Sequence, residues 1–175
     1  IETGDDDSLA RIHKRQSAER ALTVLRDMRR AGLAVTANFL LGFPWQDRES
    51  IRKDRLLIRN LESMWFGLNF VVPFPGTGLR SMLEEEGIPM EENYDLYTGK
   101  IPIAPTRRTD RAGLRRHARI LNRSFYLRWR YLGWIAVFFA RNPQRLFPFL
   151  SSLYHVGIKR GRARYLLGGL QRPGS

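Results

Sequence analysis

The sequence predicts an α/β protein of successive βα units, followed by a separate basic helical segment. Three observations predict it. Ala34–Pro44, AVTANFLLGFP, is a short apolar and β-branched run that stops at Gly42 and Pro44, as a buried strand between turn signals does. A second run, Leu68–Val72, stops at the PFPGT segment Pro73–Thr77. Helical spacing precedes, separates and follows these runs, and that alternation favours parallel strands joined by crossover helices.

The elements follow in order. Ile1–Gly4 resembles the end of a strand. Asp5, Asp6, Asp7 and Ser8 suit the capped start of a short helix over Leu9–Lys14 better than they suit a metal site. Ser17 is an N-cap for a helix over Ala18–Ala31, with Ala21, Leu22, Leu25 and Met28 on one face. Glu19 near its start and Arg29 and Arg30 near its end suit the helix dipole. Gly32 fits the position after its last turn. Asp47 caps a helix over Arg48–Leu61, whose buried stripe is Ile51, Ile58 and Leu61, with Leu57 beside it. A short helix over Leu79–Glu86 closes on Gly87. Gly4, Gly42 and Gly76 are 38 and 34 residues apart, the natural period of βα units.

Residues 88–108 have little periodicity and contain Pro89, Pro102 and Pro105, as a linker does. Thr109 or Asp110 then caps a helix over Arg111–Arg130 carrying Arg111, Arg115, Arg116, Arg119 and Arg123. The expected organisation is therefore 1–87 as βα units, 88–108 as linker and 109–175 as a basic helical extension. Tyr131–Ala140 is strongly apolar, but ten residues are about half a membrane span. Leu146–Ile158 is interrupted by Pro148, and Lys159–Arg164 is basic. No transmembrane helix is expected.

Charge divides the chain in the same way. Residues 1–95 hold 13 Lys and Arg against 16 Asp and Glu, a net −3. Residues 96–175 hold 17 against the single acid Asp110, a net +16, which returns the overall +13. Such asymmetry asks for an anionic surface or partner near the second half. Cysteine is absent, which excludes disulfides, thiolate metal ligands and a cysteine nucleophile supplied by this chain. His13, His117 and His155 are too dispersed to suggest a histidine metal site.

Glu2-Thr3-Gly4, Lys14, Asn38, Gly42-Phe43-Pro44 and Pro73–Thr77 all fall at or just after strand ends, where parallel α/β folds bind ligands. Glu2 and Asn38 can accept hydrogen bonds from ribose hydroxyls or an ammonium group. Lys14 can pair with a carboxylate, and Gly42 and Gly76 permit close backbone approach. These groups suit an amino-acid nucleoside. The same pattern also fits ordinary turn residues around a satisfied, buried asparagine.

The pieces IETG, LARIHK, RRAGL, LLGFPWQD and PFPGT, in that order over about residues 1–87, resemble the C-terminal half of the radical S-adenosylmethionine (SAM) core domain. The closest likeness is to the cobalamin-binding branch acting on hopanoids, tetrapyrroles and similar substrates, through PFPGT and a basic extension with Phe125, Tyr126 and Arg128. The resemblance implies the C-terminal half of a partial (β/α)6 TIM-like barrel. It implies an enzyme in which a [4Fe–4S] cluster on a CxxxCxxC loop cleaves SAM to a 5′-deoxyadenosyl radical. Methylation, cyclisation or oxidation of a lipophilic small molecule would follow, with an external electron donor for the cluster and cobalamin as a further cofactor. The cluster ligands are expected upstream of Ile1, which would leave this chain inactive alone.

By the same resemblance, Glu2 and Thr3 meet SAM at the fourth strand, Lys14 pairs with its methionyl carboxylate, and Asn38 and Gly42 lie near ribose and adenine. Phe74 and Gly76 lie toward adenine or substrate. Two departures are visible: Pro44-Trp45-Gln46-Asp47 stands in place of P-G-E-T, and Thr3 in place of the usual Ser. The expected location is cytoplasmic, with peripheral contact to an anionic membrane through 109–164. A basic membrane- or nucleic-acid-binding module without catalysis is the alternative, although no RNA-binding module pattern is present. The lack of a glycine-rich phosphate loop counts against other phosphate-binding βα barrels.

Overall fold

A computed structural model describes residues 1–33, 35–148 and 151. The expectations for Ala34, for most of Leu146–Ile158 and for Lys159–Arg164 therefore lie outside the described residues in whole or in part. Six α-helices, two short 3-10 helices (Tyr94–Leu96 and Pro143–Arg145) and a two-stranded parallel sheet are formed among the described residues, a mixed α/β arrangement dominated by helix.

The helices start where side-chain caps make them start. Asp5 accepts Ser8 N–H to open α1 (Asp6–Arg11), and Ser17 accepts Arg20 N–H to open α2 (Ala18–Arg30). Asp47 accepts Ser50 N–H at α3 (Arg48–Asn60), Thr77 accepts Arg80 N–H at α4 (Gly78–Glu85), and Asp110 accepts Gly113 N–H at α5 (Arg111–Tyr126). Each satisfies an amide that the helix itself leaves open. Asp5 is a cap, as expected, but α1 begins at Asp6 and ends at Arg11 rather than spanning Leu9–Lys14, so Asp6 and Asp7 form its first turn; Asp6 also accepts Ala18 N–H at 2.8 Å. Gly32 and Gly87, at φ +78° and +64°, end α2 and α4 in the left-handed conformation that closes a helix.

Strand β1 (Thr36–Leu41) pairs with β2 (Trp65–Phe70) from Thr36↔Trp65 to Leu41↔Phe70. β2 begins three residues earlier than Leu68. The amide of Met64 reaches Val35 O at 2.9 Å, so pairing starts at the N-terminal end of β1 and passes through Gly67. Ile1–Thr3 run beside β1 through Leu40 N–H to Glu2 O at 2.8 Å, without forming a regular strand. The described sheet is therefore two strands wide.

One sheet face is packed. Ala37, Phe39, Leu41, Phe66 and Phe70 are buried, as are Ile58 of α3 and Leu121 and Phe125 of α5. Phe66 stacks on Phe125 with centroids 5.2 Å apart, and Phe39 lies 5.3 Å from Phe66. Tyr126 donates its hydroxyl to Phe66 O at 2.8 Å. Helix α5 is thus part of the core rather than an appendage.

Contacts divide the chain into a unit Ile1–Arg128 and a unit Trp129–Ser175. The first compact unit runs past residue 87, where the motif pattern ends, to Arg128. Residues 88–108 are bonded into it, through Phe70 N–H to Gly99 O (2.7 Å), Glu91 N–H to Ile103 O (2.8 Å) and Arg107 N–H to Pro44 O (3.0 Å). Tyr97 and Ile103 are buried there. The charge step at 96 marks a change of surface, not of folding unit. Helix α5 also stops at Tyr126, four residues before Arg130, and Arg128 donates to the carbonyls of Ile58 and Arg59 at 3.1 Å, where α3 ends.

In the second unit, α6 (Trp129–Arg141) carries a ladder of rings, Tyr131–Trp134 at 6.1 Å and Trp134–Phe138 at 5.5 Å. Among the described residues, no helix is long and apolar enough to cross a membrane.

Candidate functional site

Strand periodicity separates two sets of side chains. The packed face takes Ala37, Phe39 and Leu41. The other face carries Thr36, Asn38 and Leu40 of β1 beside Trp65, Gly67 and Asn69 of β2, as their register requires. Asn38 is exposed, not buried as an apolar strand suggested. It lies opposite Gly67, where an added Cβ would come 2.3 Å from Asn38 Oδ1. Only glycine leaves the amide this place. Lys100 Nζ donates to Asn69 Oδ1 at 2.8 Å, adding a cation to the same face.

Glu2 and Lys14 come together as an ion pair of 3.1 Å, both partly exposed. The end of α1 makes this possible. His13 N–H bonds Ala10 O, Lys14 N–H bonds Leu9 O, and His13 takes φ +58°. This reversal turns the chain back, so that Lys14 meets the residue beside Leu40. Thr3 faces the other way. It is fully buried, donates to Asp54 Oδ1 at 2.7 Å and accepts Asp5 N–H at 3.2 Å. Its hydroxyl is committed to the protein interior, so Thr3 stands apart from Glu2, Lys14 and Asn38.

Gly42 takes φ +100° at the end of β1, and its N–H donates to Gln46 Oε1 at 2.8 Å. It offers close approach but no free donor. Phe74 and Gly76 lie beyond the end of β2, both exposed, with Phe74 6.1 Å from Tyr97 and nothing within 4 Å of a Cβ at Gly76.

The residues that sequence patterning did not single out are Asp54 and Gln46. Asp54 is 1% exposed and accepts three hydrogen bonds: from Thr3 Oγ1 and Gly4 N–H on Oδ1, and from Gln46 Nε2 on Oδ2 at 2.8 Å. Gln46 in turn holds Gly42. One carboxylate thereby ties the Thr3-Gly4 strand end to the β1–α3 loop. Burial pushes the Asp54 carboxyl up to about 6, against the pull of those hydrogen bonds. A signal existed: Asp54 falls between Ile51 and Ile58 on the buried stripe of α3, where a carboxylate requires partners.

Asp5 beside it behaves oppositely. Burial raises it, yet Lys53 Nζ at 2.6 Å and Ser8 together hold it below its usual range. The amide and hydroxyl of Ser50 hold Asp47 low. Among the described residues, no group of three or more His, Asp and Glu is placed to hold a metal ion.

In comparisons with known proteins, the chain matches no family model and no curated sequence.

Proposed function

We propose that Ile1–Arg128 forms the SAM-binding C-terminal half of a radical SAM barrel, whose cluster ligands come from outside this chain. The open, polar sheet face carries this reading. Asn38, Asn69, Lys100 and the Glu2–Lys14 pair lie at or beside it, while the helices pack on its other side. That division is the one a βα barrel needs, with polar groups inside and helices outside. The ordered pieces IETG, LARIHK, RRAGL, LLGFPWQD and PFPGT support the same reading.

The residues fit an amino-acid nucleoside. Lys14 can exchange Glu2 for a methionyl carboxylate, which frees Glu2 to accept from the α-ammonium group. Asn38 can bond ribose hydroxyls from its place over Gly67, and Gly42 permits close approach of a flat ring. Phe74 and Gly76 stand at the rim toward adenine or substrate. The chain does not fit an iron–sulfur cluster, because it has no thiolate to offer. When bound, SAM with its cluster would supply the radical chemistry. The residues here bind and orient. Cobalamin and a lipophilic substrate belong to the same reading through the branch resemblance alone.

The reading frame upstream of Ile1 tests the assignment, and a CxxxCxxC loop is expected there. Calorimetric titration of SAM into the chain joined to that segment should show binding weakened about tenfold by Asn38→Ala, the loss of roughly one hydrogen bond to a ligand. An upstream frame without cysteines, or no SAM binding by the joined chain, overturns the proposal.

A further inference from the structure

The outer surface made by α3 and α5 is separate from the open sheet face and independent of SAM binding. On α5, Arg116, Arg119 and Arg123 point away from the buried row Leu114, Leu121 and Phe125, and all three are exposed. Among the described residues none of them has a carboxylate partner, and beyond its cap Asp110 the helix contains no acid. The other edge of α5 meets α3, where Arg55 Nε donates to Ser124 Oγ at 3.2 Å. Arg48, seven residues and two turns before Arg55, lies close enough to His117 to act on its charge. Arg59 continues that row one turn later.

Between the two arginine rows, helical spacing places Ile120 and Leu127. They are 39% and 65% exposed and lie next to the arginines, so this face is apolar as well as basic. The two aromatic rings that α5 itself carries are occupied: Phe125 is buried against Phe66, and Tyr126 gives its hydroxyl to Phe66 O. A surface that binds nucleic acid joins arginines to free stacking rings. This one joins arginines to free aliphatics, the pairing an anionic lipid interface rewards, with guanidinium groups at phosphates and apolar side chains just below them.

We propose that the α3–α5 face docks on an anionic membrane surface. Arg48, Arg55, Arg116, Arg119 and Arg123 contact headgroup phosphates, and Ile120 and Leu127 insert between them.

Sedimentation of the full chain with phosphatidylcholine vesicles, with and without 30% phosphatidylglycerol, tests this. Binding is expected on the anionic vesicles alone and is expected to weaken as salt rises. Arg116→Glu/Arg119→Glu/Arg123→Glu should lower the partition coefficient by about a hundredfold or more, at roughly fivefold per basic residue. Ile120→Ser/Leu127→Ser should lower it about tenfold while the salt dependence persists. Both variants should keep the parental melting temperature, because every altered side chain is exposed or half-exposed. Failure to bind anionic vesicles overturns the proposal, as does binding that the arginine reversal leaves unchanged. Equal binding by the serine variant overturns it too, since the aliphatics would then take no part. An RNA duplex bound more tightly than the vesicles, and lost with the arginines alone, would make this a nucleic-acid surface instead.

Discussion

Thr3 Oγ1 donates to Asp54 Oδ1 at 2.7 Å, joining residues 51 apart in sequence. The bond connects the extended segment Ile1–Thr3 to the middle of α3. Through Gln46 the same carboxylate reaches Gly42, so two of the three strand-end segments are held by one buried group. Asp54→Ala would leave the Thr3 O–H, the Gly4 N–H and the Gln46 Nε2–H without their acceptor. A loss of about 3 kcal/mol or more is expected, read from urea unfolding.

The same carboxylate sets a pH dependence. Its folded value, about 6, lies above the ordinary aspartate value. Between about pH 4 and pH 6 the folded chain therefore binds more protons than the unfolded chain, and stability falls as pH rises through that window. The fall is at most about 3 kcal/mol, since each tenfold difference in proton affinity between the folded and unfolded chain contributes about 1.4 kcal/mol and the carboxyl moves from 3.8 to about 6. Asp5 and Asp47 are held low, so their contribution is present above about pH 4 and is lost only as pH drops further. Asp54→Asn should abolish the slope between pH 4 and 6 and leave the acid loss, as denaturation midpoints across pH would record.

Two glycine substitutions separate fold from site. At Gly4, a Cβ would lie 2.8 Å from Lys53 O and 3.1 Å from Asp54 Cα, both backbone atoms that cannot move cheaply. Gly4→Ala should cost about 2 kcal/mol or more through overpacking. At Gly67, the obstacle is Asn38 Oδ1, the end of an exposed side chain that can rotate away. Gly67→Ala should change stability by less than about 1 kcal/mol yet weaken SAM binding about tenfold, the loss of roughly one hydrogen bond. Melting curves and calorimetric titration of the two variants give opposite rankings if this is correct.

Phe125→Ala tests whether α5 belongs to the fold of the first unit. The ring is fully buried between Phe66 and the Arg128 guanidinium, which sits 4.2 Å from its centroid. Its removal should cost about 3–5 kcal/mol. Truncation after Asp110 should prevent folding of 1–110. A folded 1–110 fragment would show that α5 is dispensable.

The sequence by itself determined the order of the elements and the starts of the longer helices. Ser17, Asp47 and Asp110 mark helix N-termini because a side-chain acceptor next to open amides is a local matter of a few residues. The apolar run at 34–44 likewise marks a strand, although its two faces, with Asn38 exposed and Ala37, Phe39 and Leu41 buried, are not legible in it. What tertiary structure decided is how distant pieces meet. β2 starts at Trp65 because its partner strand offers Val35 and Thr36, which no local pattern reveals. Phe125 joins α5 to the sheet, so the folding unit runs to Arg128 although composition changes near residue 96. Thr3 and Glu2 are neighbours in sequence, yet one is buried on Asp54 and the other pairs with Lys14. Alternation along an extended chain sends them to opposite sides, and only the packed helices make one side the interior.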